Sequence, residues 1–192
     1  MKKGYRQVIA DGRITSSKSF NDYLYAWLVL KADEDRMIWK KDFVYSQVEG
    51  ELGMTRKTLA KYFNWMVDEG LVIDEGEKWI LADLGRNGFW IEEEVLRQLV
   101  DSKIRYMVSI YVYLVKGYWM IQKSGKKNLP ILLPEVKAYL GLSVNSRSNN
   151  YLVTDCFEWL REMGLLNCWL WFNKETGKRF YLLSGIGKSN YF

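Results

Sequence analysis

Leu52-Gly53-Met54-Thr55 and Leu140-Gly141-Leu142-Ser143 are two copies of one short pattern, and their reading decides the fold. Behind each comes a segment with helical apolar spacing. That segment ends at Gly70-Leu71-Val72 in the first copy and at Gly164-Leu165-Leu166 in the second. Gly53 supplies the turn between two helices, because glycine adopts the left-handed conformation at no steric cost. Thr55 is placed to cap the helix that follows. An alternating apolar segment that breaks and returns closes each copy, which is how a strand hairpin reads.

Working outward from the first copy, Phe20, Leu24, Trp27 and Leu28 fall at i, i+4, i+7 and i+8, the spacing of one helix face. Met37-Ile38-Trp39 predicts a small strand. Asp42 is expected to cap a second helix with Val44, Val48 and Leu52 inward. In the third helix Leu59, Phe63 and Met66 form the inward stripe, so Arg56, Lys57, Lys61 and Asn64 point outward. Between Thr55 and Met66 there are three basic residues and no acid. A helix that enters the major groove needs long donors at its N-terminal end and along one face. Arginine can take guanine by two hydrogen bonds and asparagine can take adenine, while the helix N-terminus favours phosphate. Thr55, Arg56, Lys57, Lys61 and Asn64 are therefore candidate DNA contacts. The competing reading is an ordinary amphipathic surface helix; the glycine turn before it and the strand start after it reduce the weight of that reading. Leu71-Val72-Ile73 and Trp79-Ile80-Leu81 predict a hairpin around Asp74-Glu75-Gly76-Glu77-Lys78, whose acidity argues against close phosphate contact by the loop.

Asp83 to Gly88 reads as a boundary turn, Phe89-Trp90-Ile91 as a strand, and Glu92 to Leu99 as a short helix. A buried helix is expected over Ile104 to Met120. Its apolar run, Met107 to Val115, is too short to span a bilayer, which takes about 20 residues. Lys123, Lys126 and Lys127 are read into one loop with Gly125, a second phosphate contact or a plain soluble loop tip. Pro134 suits a helix first turn, with Val136 and Leu140 inward. The turn glycines of the two copies are 88 residues apart and the closing glycines 94, so the second copy carries six extra residues around Val144 to Asn149. Either its loop is longer or its helix starts earlier. Val153, Phe157 and Leu160 repeat the inward stripe, but Asp155 takes the place of Lys61. Arg147, Asn149 and Asn150 remain candidate base readers at the N-terminal end of this helix. The loop Asn173 to Arg179, flanked by strands Cys168 to Phe172 and Phe180 to Leu183, is basic through Lys174, Lys178 and Arg179. It is expected to touch the DNA backbone, or the second domain to serve dimerisation.

The whole-chain totals narrow the function. The 192 residues have room for one domain or two small ones, and 48% hydrophobic with 27% charged content argues against disorder. Aromatics make up 16%, most of them expected in cores. No histidine is present, which excludes histidine triads, zincin motifs and histidine-ligated metals. Cys156 and Cys168 lack CxxC spacing and are read as buried reduced thiols, so no metal and no cofactor is expected. The formal net charge is +5, and the first twenty residues carry +4 of it through Lys2, Lys3, Arg6, Arg13 and Lys18 against Asp11. Such an arm binds phosphate nonspecifically, or is simply a solvated terminus. No apolar leader follows Met1-Lys2-Lys3, so a cytoplasmic location away from membranes is expected.

The run Thr58-Leu59-Ala60-Lys61-x-Phe63-x-x-Met66-x-x-x-Gly70-Leu71-Val72 resembles the recognition-helix segment of bacterial winged-helix DNA-binding domains. The second copy keeps the apolar positions and Gly-Leu-Leu and departs at Asp155. Two such domains in tandem resemble the replication initiators of plasmids and phages of low-GC Gram-positive bacteria. Phe89-Trp90-Ile91, a short helix and a long aromatic helix are similar to the opening of such domains. The resemblance implies a mainly α fold with small β-hairpins (α+β) and two tandem winged helix-turn-helix domains. The expected division is a basic arm over 1–18 and domains over 19–86 and 87–192. It implies specific binding to double-stranded DNA, as replication initiator, accessory factor or transcription regulator. A homodimer and host replication or transcription proteins are further partners it allows. The alternative is a winged-helix protein-interaction module, to which the acidic stretches at Asp74 to Glu77 and at Asp155 with Glu158 are suited. An enzyme is not expected: there is no phosphate-binding glycine loop, and Glu92-Glu93-Glu94 reads as favourable charge at a helix start.

Overall fold

Local capping and periodicity place most of the secondary structure. The computed structural model describes residues 4–174 and 179–187. The chain divides into two compact units, Met1–Val108 and Ser109–Phe192. Among the described residues the protein is α+β, with eight α-helices and three small antiparallel sheets. In the first unit the order is β1 (Tyr5–Ile9), α1 (Gly12–Thr15), α2 (Asp22–Lys31), β2 (Met37–Trp39), α3 (Tyr45–Leu52), α4 (Arg56–Asp68), β3 (Val72–Asp74), β4 (Lys78–Leu81), β5 (Gly88–Glu92) and α5 (Glu93–Asp101). The chain continues with α6 (Met107–Lys123), β6 (Leu129–Ile131), α7 (Leu133–Tyr139), α8 (Arg147–Glu162), β7 (Leu166–Phe172) and β8 (Arg179–Ile186). No helix among the described residues is long and apolar enough to cross a membrane.

The repeat read in the sequence is also a repeat of topology. A helix, a strand, two helices joined by a glycine turn, and two further strands recur as α2 to β4 and as α6 to β8. The sheets have the same order, β2-β4-β3 and β6-β8-β7, with the last strand in the middle. The six extra residues of the second copy are shared between loop and helix. Helix α4 has 13 residues and starts three after Gly53, whereas α8 has 16 and starts six after Gly141.

Helix α2 departs from the one-sided reading. Asn21 caps it, its Oδ1 accepting from the Leu24 amide at 3.0 Å. Tyr23 to Val29 are then buried on every side. The reason is long-range: β1 and α5 both pack on α2, so two faces are covered at once. Asp42 is not a cap. It ends a short 3-10 turn over Lys40–Asp42, and α3 begins after Val44 with no side-chain cap.

The segment read as a basic arm is in part a strand. Lys2 and Lys3 lie outside the described residues. Residues Tyr5 to Ile9 pair antiparallel with β5, from Tyr5 opposite Glu92 to Ile9 opposite Gly88. Arg6 is not a free cation there but bonds Glu93 at 3.0 Å. Arg97 donates to the same carboxylate at 2.5 Å. These partners hold the Glu93 carboxyl below its usual range, the Arg97 hydrogen bond contributing most, with burial opposing. A depressed carboxyl stabilises the fold above its ordinary range, and that contribution is lost as pH falls through the folded value. Urea unfolding followed through the acid range is expected to lose stability less steeply in Glu93→Gln than in the parent chain.

Candidate nucleic-acid interface

Helix α4 begins where Thr55 turns its hydroxyl back on the helix, accepting from the Thr58 amide at 3.4 Å. Gly53 ends α3 in the left-handed region at φ 64°, which lets the chain reverse within two residues. Leu59 and Met66 are buried and Phe63 is half-buried, its ring 4.6 Å from that of Trp79. Arg56, Lys57, Ala60, Lys61 and Asn64 are exposed. At 100° per residue they occupy a continuous arc of about 140°, about 12 Å long from Arg56 to Asn64. Such a face fits a major groove roughly 12 Å wide, with Ala60 leaving space between the long side chains. The Arg56 guanidinium lies 4.9 Å from the ring centroid of Tyr45 on α3. That stacking pre-orients the arginine, and the sequence reading missed it because it joins two helices through the turn.

The hairpin after α4 is less acidic in effect than in composition. Lys40 donates to Asp74 at 2.6 Å, and Lys78 pairs with Glu75 at 3.5 Å. The Asp74 carboxyl is held low, first by the Lys40 hydrogen bond and then by the Gly76 amide.

The second copy is built differently. Ser146 caps α8, its hydroxyl accepting from the Asn149 amide at 3.4 Å. Arg147 is exposed at the first position. Asn149 and Asn150, read as base contacts, lie in the first turn of α8 and hydrogen-bond to the loop before it and to Lys137. The Asn149 amide group donates to the Ser143 carbonyl at 3.0 Å. Asn150 Oδ1 accepts from the Lys137 ammonium at 2.5 Å, and the Val144 carbonyl accepts a second bond from that ammonium. Lys137 is 1% exposed. A buried cation needs its donors satisfied, and two neutral oxygens, one in the longer loop and one in the first turn of α8, take two of the three ammonium hydrogens. The signal was available: a lysine between Val136 and Leu140 on an inward face demands acceptors nearby. Asn150→Ala is therefore expected to cost about 1.5–3 kcal/mol, the range for a hydrogen bond to a charged group, readable as a shift in the urea midpoint. Beyond Arg147, the outer face of α8 carries Tyr151, Asp155, Glu158 and Glu162, with Arg161 beside them.

Of the remaining candidates, Lys123 is not in a loop. It ends α6, with its ammonium 3.6 Å from the Trp119 ring centroid. Lys126 and Lys127 are exposed in the turn before β6. Lys174 and Arg179 are exposed at the end of the β7–β8 ladder where Phe172 pairs with Arg179, and Lys178 lies outside the described residues. Both cysteines are buried and neither forms a disulfide. Among the described residues no group of three or more metal-ligating side chains comes together. No protein-family model and no curated protein matches this chain.

Proposed function

We propose that the chain consists of tandem winged helix-turn-helix domains, the first of which binds double-stranded DNA sequence-specifically. The observation that carries this is the exposed arc of α4, where Arg56, Lys57, Lys61 and Asn64 face solvent together with no acid among them until Asp68. The repeated element order and the repeated sheet order support the winged-helix reading, with the β3–β4 and β7–β8 hairpins as wings. Base contacts come from the N-terminal half of α4. Lys174 and Arg179 in the second unit, and Lys126 with Lys127, hold phosphates. The protein acts by binding, in the cytoplasm, without catalysis or cofactor. Its resemblance to initiators supports a role as plasmid or phage replication initiator, accessory factor or transcription regulator. The acidic outer face of α8 favours a second reading for that helix, as the surface that meets a host replication or transcription protein or a second copy.

The test is selection from random genomic fragments by the purified protein at two salt concentrations, followed by sequencing. An enriched motif whose binding weakens as salt rises is the expected result. Clustered repeats of the motif mark an initiator, and a promoter position marks a regulator. No retained DNA at low salt would overturn the reading in favour of a protein-interaction module.

A further inference from the structure

Strand β7 is the edge of its sheet, and its outer half is unusually aromatic. Trp169 stands opposite Leu182 and Trp171 opposite Phe180 across the β7–β8 ladder. Directly paired residues share a sheet face, so these four line one side. Pro130 joins them through its pairing with Leu182. On the opposite side Cys168, Leu183, Tyr181 and Ile131 are buried, while Leu170 and Phe172, toward the Arg179 end of the ladder, are exposed. The aromatic side is open, with Trp171 50% and Trp169 38% exposed. Burying this apolar area would be favourable, and the fold leaves it in water.

The charges around this face indicate what covers it. Residues 124–131, 166–174 and 179–187 contain Lys126, Lys127, Lys174 and Arg179 and no acid. They lie at opposite ends of the sheet. Leu129 pairs with Leu183, so the lysine turn before it lies toward the Ile186 end, whereas Lys174 and Arg179 lie at the other end of the ladder, where Phe172 pairs with Arg179. With Glu175 and Lys178 from the intervening sequence counted, residues 124–131 and 173–179 hold five bases against one acid, so a second copy of the chain on this face would bring mostly like charges together. A polyanion with flat apolar groups suits both features at once.

We propose that the outer face of the β6-β8-β7 sheet binds single-stranded DNA. Two or three unpaired bases stack on Trp169, Trp171 and Phe180, and the phosphates run between the lysine turn and the hairpin end. The two tryptophans are one strand repeat apart, about 6.8 Å, so successive bases can each find a ring. Stacking of this kind is tolerant of sequence, because every base has a flat face. Among Pro130, Trp169, Trp171, Phe180 and Leu182 the only polar groups are the two indole N–H donors, so these side chains offer no acceptor for a 2′-hydroxyl proton. The choice of DNA over RNA rests on the duplex reading of the first unit; the stacking itself does not.

The experiment titrates the full chain with fluorescein-labelled dT20, rU20 and a selected duplex, with intrinsic tryptophan fluorescence as a second readout. Binding of dT20 with tryptophan quenching is expected. Trp169→Ala and Trp171→Ala are each expected to weaken it about fivefold or more, with duplex affinity unchanged. Trp171→Phe keeps most of the affinity, which separates stacking from a folding defect. Replacing Lys126 and Lys127 together by alanine lowers the salt slope by about 0.7 for each phosphate no longer neutralised. The proposal is overturned if dT20 does not bind at low salt, or if its affinity ignores the tryptophan substitutions. It is equally overturned if rU20 binds and dT20 does not, or if the substitutions abolish self-association and no oligonucleotide binds. Loss of duplex binding in Arg56→Ala with dT20 binding retained supports the proposal, because the stacking face then works without α4 although Lys126, Lys127, Lys174 and Arg179 serve both ligands.

Discussion

Replacing Arg56 and Lys57 together by alanine is expected to remove most sequence-specific duplex binding. Each residue that contacts a base contributes about 1–3 kcal/mol, or roughly fivefold to 150-fold in affinity. Both side chains are exposed at the start of α4, so the fold should tolerate their loss within about 0.5 kcal/mol. The pattern of loss distinguishes their roles. Weaker binding to the selected site with unchanged binding to random duplex identifies a base contact; equal loss on both identifies a phosphate contact. Arg56 is the stronger candidate for base reading. Its guanidinium is already stacked on Tyr45 at 4.9 Å, so less side-chain freedom is lost on binding. Arg56→Lys should keep the charge and still lose specificity, because an ammonium cannot form the two-pronged bond to guanine. Competition titrations with the selected duplex and a scrambled duplex, at fixed salt, check each outcome.

Phe157→Ala is expected to cost about 3–5 kcal/mol of stability. Phe157 is 1% exposed, and its ring meets that of Tyr181 edge-on at 4.7 Å. The deletion leaves a cavity between α8 and its sheet, bordered by Val153, Cys156 and Leu160 on the same helix, and it forfeits the aromatic pair as well. Domains of this size are stable by only about 5–15 kcal/mol, so the loss is a large fraction of the whole. Urea unfolding followed by near-ultraviolet circular dichroism checks it. A loss below about 1 kcal/mol would mean that the α8–sheet contact is not the packed core described.

The sequence carried the local half of this description. Helix α4, its Thr55 cap, the left-handed Gly53 and the two hairpins were legible because each depends on residues within one turn or one ladder of itself. The exposed set on α4 was legible for the same reason: periodicity fixes which side chains face away once the inward stripe is known. The strand β5 was visible in Phe89-Trp90-Ile91, but its partner β1 was not. Arg6 next to Lys2 and Lys3 reads as part of a charged arm until Glu93, 87 residues away, is folded against it.

Chain order and spacing by themselves determined the repeat, the positions of its turns and the outward basic face of α4. Tertiary structure alone decided how that repeat is used. It buried α2 on all sides through β1 and α5, and set Asn150, in the first turn of α8, against the buried Lys137. It also left Trp169 and Trp171 on the open side of an edge hairpin. The physical reason is common to all three. A residue's neighbours along the chain set its conformation, but whether it meets water, a charge or a core depends on segments that sequence distance does not reveal.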